Sequence, residues 1–481
     1  MTPRAVARLA APLLALVVVT MLAPIGLAIY DGDTLSAFAY AISTGGCALL
    51  AALLRRLGRS ADDSIHRKDA IGVVVLVWLA MSIFGALPFV LDGSIPTMSG
   101  AIFEAASGFT TSGGSVIPDV GLLTRASNLW RCEMHLIGGM GIVVLFVAVF
   151  PQLGVGAKQL FKVEVPGPQS EGLRPKIKQT ALALWWIYGV LMLICTLLYV
   201  VGGMSVYDAI CHAMSTLGTG GFSTRAASIG HYQSAFIDWV TIVFMFIAGC
   251  NFGLYYMALR GRWRDLTDNP ELRFYLAINV GVSLLVAWSI WDQHPSIGES
   301  LRFASFQTLA VTSTTGYMTE DFDTYPDICR FVLFVCMFMG GCAGSTAGGL
   351  KAVRVLLLIK AVNREIRAAT SPNAVETVKL GRAAIPAQIM SAVLVFFAVY
   401  LAIFTLTSTI LVALGLDLLS AMTGTVACLS SVGPGLGSVG PTHNFADVPW
   451  IGQLVLSVCM IAGRLEVFVL LSVFTRELWR R

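Results

Sequence analysis

The chain has 481 residues, of which 56% are hydrophobic and only 12% are charged, and its formal net charge is +4. Soluble domains carry about 25% charged residues because their surfaces must be solvated, so the composition argues against a cytosolic enzyme, a secreted disulfide scaffold and a disordered chain. It predicts an integral membrane protein instead. The charge is too small to indicate nucleic-acid binding, and the ten cysteines and six histidines lack the spacing of a metal site.

A spanning helix needs about 20 mostly apolar residues. The first apolar run lacks a clear cleavage site, so we interpret it as a retained span and not as a signal peptide. The eighth run is interrupted by a glycine-rich segment, which a uniform helix would not contain. The ten predicted spans cover about 9–30, 35–54, 70–91, 129–150, 180–202, 236–259, 273–291, 327–360, 383–414 and 448–475.

The positions of the basic residues predict the orientation. With the N-terminus inside, most of the 32 lysines and arginines fall in cytoplasmic segments, as the positive-inside rule requires. An even number of spans then places both termini in the cytoplasm. Arg464 is an exception, because it lies in the middle of a predicted span.

Four short runs of Ser, Thr and Gly recur between spans three and four, five and six, seven and eight, and nine and ten. The glycines that align them follow one another at intervals of 108, 95 and 117 residues. A recurrence of this length, flanked each time by two spans, indicates an internal repeat. The aligned residues are Gly113, Gly221, Gly316 and Gly433.

Each run follows a moderately apolar segment that is too short to cross a bilayer but long enough for a re-entrant helix. Acidic residues near three of the starts, Asp208, Glu299 and Asp417, would complement the helix dipole. The segments cover about 97–108, 205–216, 297–311 and 417–428.

These elements predict an all-α integral membrane fold. Two N-terminal spanning helices precede four parallel repeats of span, short pore helix and span, arranged around a central ion pore. The predicted boundaries are 1–60 for the N-terminal pair and 61–165, 166–265, 266–370 and 371–481 for the repeats.

The chemistry of the runs follows from the bilayer. Irregular backbone survives at membrane depth only where protein buries it or where it lines an aqueous path. Four runs around an axis would direct carbonyl groups inward and replace the hydration shell of a monovalent cation, as in potassium-channel filters. The carbonyl ends of the four short helices would add negative potential there. Glycine suits such runs because it adopts positive φ without steric cost.

The motifs resemble those of TrkH/TrkG-type subunits of the Trk/Ktr/HKT superfamily of potassium transporters, and the resemblance covers nearly the whole chain. It implies a potassium-uptake protein of the bacterial inner membrane, in contact with membrane lipid, that is a homodimer with one pore per subunit and binds a cytoplasmic ring of TrkA-like nucleotide-binding subunits. Potassium would be the substrate, with no cofactor bound by this chain and no enzymatic activity. The motifs are 107–116, 130–131, 138–141, 219–224, 340–351, 432–437 and 463–466.

The same resemblance implies the filter residues. In related plant transporters a serine at the first glycine position accompanies sodium preference, so Gly113 favours potassium. Gly114 and Ser115 depart from the expected pattern, which predicts a looser outer end of the first run. The implied filter consists of Thr111, Ser112, Gly113, Thr219, Gly220, Gly221, Thr314, Thr315, Gly316, Ser431, Val432 and Gly433.

Each inner span also carries a glycine-bearing segment below its run: 138–141, 249–251, 340–349 and Gly463. We expect these segments to form a second layer in the pore; for the first two, close packing of small residues is favoured over a break. The third is the longest and is predicted to be an unwound loop across the path. The resemblance to the family implies that this loop is the gate. The predicted gate residues are Gly340, Gly341, Gly344, Ser345, Thr346, Gly348, Gly349 and Arg464.

Several charged residues have two interpretations. Arg464 would project into the pore as an electrostatic barrier, or form a buried pair with Glu466. Glu104 is expected to anchor the first run from behind. Three residues near the outer end of the fourth span, Arg131, Glu133 and His135, would snorkel, and His212 would pack without a further role.

Two other functions are possible on composition alone. An ion-coupled secondary transporter of a small solute would use broken helices in inverted repeats. Here each repeat contains an even number of spans, so the repeats are parallel, as a pore requires. A membrane-embedded enzyme would need clusters of His, Asp or Cys in the spans, and the sequence has none.

Overall fold

The fold is described from a computed structural model in which residues 2–60, 67–148, 173–371, 377–381 and 383–479 are placed. Five of the basic residues that the predicted orientation places in the cytoplasm lie outside the described residues: Lys158, Lys162, Arg382, Arg480 and Arg481. The predicted boundary at 165/166 lies there as well.

Three spans build the N-terminal part of the core. The first, Pro3–Thr20, continues as Leu22–Tyr30 after Met21, and the second, Thr34–Leu57, begins where the Asp33 carboxylate accepts the Ser36 N–H at 3.1 Å. Together with the third helix, Arg67–Leu91, they bury Leu14, Tyr40 and Trp78 in one cluster. These helices match the first three predicted spans.

Helices also occupy the other predicted spans. In the described part of the chain, six helices are long and apolar enough to cross a membrane, and the bent pair Ala235–Gly249 and Phe252–Leu259 makes a seventh if it is one span. The remaining helices are Arg125–Ala148, Leu173–Val201, Trp263–Thr267, Pro270–Ser289, Asp327–Met337, Ala352–Thr370, Ala387–Ala413, Trp450–Arg464, Val467–Ser472 and Arg476–Trp479.

Four shorter helices coincide with the predicted re-entrant segments. Each begins at a residue with a side-chain oxygen, Thr97, Ser205, Ser296 or Asp417, which accepts a backbone N–H of the first turn. Hydrogen bonds from the Ser420 hydroxyl and N–H lower the pKa of Asp417, which keeps its carboxylate charged at the helix N-terminus. We call them short helices 1 to 4: Met98–Thr110, Val206–Leu217, Ile297–Thr312 and Leu418–Ser430.

The structure corrects the predicted all-α fold in one respect. The fold is almost all-α, but Lys379–Leu380 and Ala383–Ala384 form a small antiparallel hairpin. The predicted interruption of the span 327–360 is present at residues 338–351, and the span 448–475 is divided at residues 465–466, two residues after Gly463.

Candidate functional site

The four short helices end with the same backbone geometry. In short helix 1, the next residue, Thr111, has a φ of 54°, and its N–H donates to the Gly108 carbonyl at 3.1 Å. The Ser112 N–H donates to the Ser107 carbonyl at 2.8 Å, which completes a Schellman motif. Thr219, Thr314 and Ser431 repeat this geometry after short helices 2, 3 and 4. The four segments are therefore copies of one structural unit.

The predicted filter residues form four runs, 111–113, 219–221, 314–316 and 431–433, which we call runs 1 to 4. Each run ends at a glycine with positive φ, at 81°, 80°, 74° and 105° in turn. Each run therefore contains two residues with positive φ, separated by one residue. Only the second of the two positions is glycine, because it faces another chain segment.

The runs close into a ring. A Cβ added to Gly113 would lie 2.1 Å from the Gly220 carbonyl oxygen, one added to Gly221 would lie 2.0 Å from that of Thr315, and one added to Gly316 would lie 1.9 Å from that of Val432. The fourth contact is looser, since a Cβ at Gly433 would lie 2.9 Å from the Ser112 carbonyl oxygen. The runs thus contact one another in the order 1, 2, 3, 4 and back to 1, and the structure brings all twelve predicted filter residues together.

A cavity of about 130 Å³ opens on one side of the ring. Every repeat contributes to its lining, through Gly113, Gly221, Gly316 and Pro434 among others. Its wall also includes Arg225 and His443, so it is polar at the rim. The ring is therefore accessible from this side.

On the other side, the first residues of the runs present buried hydroxyl groups. The Thr314 hydroxyl accepts the Gly348 N–H at 2.7 Å, and the Thr219 hydroxyl donates to the Gly218 carbonyl at 2.7 Å. Among the described residues, the hydroxyls of Thr111 and Ser431 have no hydrogen-bond partner. Buried hydroxyls without partners are costly, so these two oxygens are available to a ligand.

Residues 338–351, which we call the under-ring loop, replace the helix in the eighth predicted span. The loop folds back on itself, because the Gly340 N–H donates to the Leu350 carbonyl at 2.8 Å and the Leu350 N–H to the Phe338 carbonyl at 3.1 Å. The buried carboxylate of Glu271 accepts the Ala343 N–H at 2.7 Å and holds the loop from outside. Glu271 was not predicted from the sequence, where its only signal is an acid at the end of an apolar span.

The under-ring loop contacts three repeats directly beneath the ring. The Thr346 hydroxyl donates to the Leu217 carbonyl at the end of short helix 2, at 2.9 Å. Gly348 bonds to run 3 and packs so closely on short helix 4 that an added Cβ would lie 2.3 Å from the Ser430 carbonyl oxygen. The predicted gate segment is therefore an irregular loop next to the ring.

Arg464 ties this loop to the first repeat. Its side chain is 3% exposed and donates to the Thr346 carbonyl at 2.7 Å and to the Gly138 carbonyl at 3.1 Å. Its Nε has no partner in the part of the chain that the structure describes. The alternative pair with Glu466 does not form, since Glu466 accepts from Arg354 at 2.6 Å. A positive charge thus lies beside the predicted path, below the ring.

Residues 138–141 lie inside the helix Arg125–Ala148, as the close-packing interpretation predicts. The break predicted at Gly463 lies at residues 465–466, directly after the helix Trp450–Arg464. Both glycines serve close packing, because a Cβ at Gly138 would lie 2.0 Å from the Phe109 carbonyl oxygen and one at Gly463 would lie 1.9 Å from that of Leu429. The break at 249–251 is present, with a bend of 92°.

The carboxylate of Glu104 holds the outer end of run 1. It accepts the Val116 N–H at 2.9 Å and the Ser115 hydroxyl at 3.0 Å, so the predicted loosening at 114–115 does not occur. Arg131 donates to Glu104 at 2.8 Å. Arg131, Glu133 and His135 are all buried, and the expectation that they snorkel is wrong.

His212 packs behind run 2, as expected. Its Nδ1 lies 2.7 Å from the Asp208 carbonyl oxygen, and its Nε2 lies 2.9 Å from the Ser223 hydroxyl. Both ring nitrogens are therefore satisfied within the protein. The imidazole fixes the chain where it leaves run 2.

Comparison with known proteins yields a consistent group of similar chains. A family described as "TrkH: Cation transport protein" matches residues 39–479. The Trk system potassium uptake protein TrkH of Halomonas elongata is 36% identical over 486 residues, with both chains covered completely. TrkH of Escherichia coli K12 is 38% identical over 431 residues and 88% of each chain. The crystal structure of the potassium transporter TrkH from Vibrio parahaemolyticus is similar over 100% of both chains, with a TM-score of 0.92 and 35% identity.

The ring geometry predicts how the chain responds to one added methyl group. Gly316→Ala places that group 1.9 Å from the Val432 carbonyl oxygen, whereas Gly93→Ala has open space around it at nearly the same φ, 78° against 74°. We expect Gly93→Ala to lower the free energy of unfolding by about 1 kcal/mol from backbone strain. Gly316→Ala should lower it by a further ~1–3 kcal/mol from overpacking. Thermal unfolding of the purified variants measures the difference, and equal shifts would mean that the ring admits a side chain.

Proposed function

The chain belongs to the TrkH family of cation transport proteins, and on that premise we propose that it takes up potassium across the bacterial inner membrane through the ring of runs 1 to 4. Family membership confirms a transport protein and not an enzyme, and it argues against the alternative of a solute transporter. The named relatives are potassium uptake proteins. The observation that carries the proposal is the closed ring of four backbone segments with glycine at every contact.

The ring suits a monovalent cation for electrostatic reasons. Its oxygen ligands are neutral carbonyls and hydroxyls. These can replace the water shell of a cation and still release the cation more easily than carboxylates would. The carbonyl ends of four helices point toward it, so the partial negative charges of the helix dipoles add at one place. Unpartnered hydroxyls of Thr111 and Ser431 extend the set of oxygen ligands toward the under-ring loop.

We propose further that the under-ring loop is the gate and that Arg464 is its electrostatic part. The loop contacts repeats 2, 3 and 4, and Arg464 joins it to repeat 1 through Gly138. A cation leaving the ring would meet both the loop backbone and a buried positive charge. Opening requires the loop to move away from Thr314 and Arg464.

The repeat boundaries, the cytoplasmic position of both termini, the homodimer and the TrkA-like regulatory subunit stay predictions. They rest on the distribution of basic residues and on the family resemblance. Accessibility of single introduced cysteines to an impermeant thiol reagent would test the orientation.

Uptake by vesicles containing the full-length chain tests the proposed function. We expect rubidium, as a tracer for potassium, to enter in preference to sodium. Gly113→Ser places a side chain 2.1 Å from the Gly220 carbonyl oxygen and should lower the rubidium-to-sodium uptake ratio about tenfold, a loss of roughly 1.4 kcal/mol of discrimination. Gly93→Ser, at a similar φ in open space, is the matched control. An unchanged ratio in folded Gly113→Ser would remove run 1 from the filter.

The gate is tested through the charge of Arg464. Arg464→Ala removes both the positive charge and the bonds to Thr346 and Gly138, so we expect a several-fold increase of rubidium uptake. Arg464→Lys keeps the charge and should fall between this variant and the unaltered chain. If Arg464→Ala lowered only the unfolding temperature, the side chain would have a purely structural role.

A further inference from the structure

Arg131 makes direct contact with the chain beyond two different runs. Its guanidinium is 1% exposed, and Nη2 lies 3.3 Å from the hydroxyl of Ser115, which follows run 1. Nη1 donates to the carbonyl of Ser223, which follows run 2, at 3.2 Å. Nε donates to Glu104, whose carboxylate holds Val116. One planar side chain therefore bridges repeats 1 and 2 on the side of the ring where the cavity lies.

The same guanidinium also lies over an aromatic ring at the end of run 2. Its central carbon is 4.0 Å from the centroid of Phe222, which directly follows Gly221. This distance is within the range of a cation–π contact, and burial strengthens such contacts. The Arg131 guanidinium thus fixes the position of Phe222 as well as that of run 1.

His135, one helical turn after Arg131, makes a second contact with Phe222. The two rings stack with centroids 4.2 Å apart and an interplanar angle of 23°. His135 Nδ1 lies 2.6 Å from the hydroxyl of Ser215, whose carbonyl accepts the Gly220 N–H. The imidazole also fills the space behind Gly220, where an added Cβ would lie 2.2 Å from Nδ1.

We propose that Arg131, Phe222 and His135 form a brace that sets the spacing between runs 1 and 2, and that they are positioning residues for cation selectivity. The inference rests on the proposed function, since it assumes that the ring is the filter. A filter discriminates between cations through the number and positions of its carbonyl ligands. Movement of either run would break a charge-assisted bond of a buried guanidinium, so the brace restrains both runs together.

The planar shape of the Arg131 guanidinium and the aromatic face of Phe222 are as important to this brace as the charges. Lysine keeps a charge opposite Glu104 but cannot bond to three directions in one plane. Leucine at 222 keeps apolar volume but offers no aromatic face, whereas tyrosine keeps the face. These differences separate a brace from a simple buried ion pair.

The test compares Arg131→Lys, Phe222→Leu and Phe222→Tyr in full-length protein reconstituted into vesicles. Rubidium and sodium uptake are measured together with thermal unfolding. We expect Arg131→Lys and Phe222→Leu to lower the rubidium-to-sodium ratio several-fold and Phe222→Tyr to retain it. The double variant Arg131→Lys/Phe222→Leu should lose little more than either single one, because both act through one contact.

Arg302→Lys is the matched control. Arg302 also pairs with a buried acid, Asp238, at 3.4 Å and lies over an aromatic ring, Phe303, at 4.6 Å, but none of these residues belongs to the runs. Its variant should keep the unaltered ratio.

Three outcomes would overturn the proposal of a brace. The first is an unchanged rubidium-to-sodium ratio in folded Arg131→Lys and Phe222→Leu, and the second is an equal loss of this ratio in Arg302→Lys. The third is a failure of both brace variants to fold while Arg302→Lys folds, because Arg131 would then have a structural role only. An unaltered chain without preference for rubidium would instead contradict the proposed function itself. A selective chain with unaffected brace variants would contradict the brace alone.

Discussion

Close approach of backbone to backbone at the ring is the contact on which the remaining structure depends. At Gly113, Gly221 and Gly316 the neighbouring carbonyl oxygen occupies the space where a side chain would begin. Backbones approach this closely only where Cβ is absent. The caps of the short helices, Glu104 behind run 1 and the close-packed glycines of the inner helices help to hold the four runs at this separation.

The backbone of the ring is nearly symmetric, but the side chains that hold it are not. Arg131 joins repeats 1 and 2. The Tyr317 hydroxyl joins repeats 2 and 3, because it donates to the His212 carbonyl at 3.0 Å. The Gly437 N–H donates to Asp323 at 2.8 Å between repeats 3 and 4, and the Phe445 N–H donates to the Ser115 carbonyl at 2.8 Å between 4 and 1. Identical subunits must use identical contacts, whereas four repeats in one chain are free to use four different ones.

The sequence predicted the repeated elements well and their contacts poorly. Short helices were predictable because apolar segments of limiting length and glycine-bearing ends recur in the same order, with acids near three of the starts. The close packing of Gly463 was not predictable, since a glycine in an apolar helix is compatible with either a break or a close approach. Glu104 and Arg131 lie 27 residues apart, and Arg354 and Glu466 lie 112 apart, so hydropathy and spacing could not pair them.

The helix caps that lead into the ring have a thermodynamic consequence. Thr111, Thr219, Thr314 and Ser431 occupy the left-handed conformation that normally belongs to glycine, at a cost of about 1–2 kcal/mol each. Glycine at these positions would stabilise the folded chain but would delete a hydroxyl from each run. The chain is therefore less stable than the same fold with glycine at these four positions would be, but each run keeps a hydroxyl oxygen. Such a stability–activity trade-off is typical of functional sites.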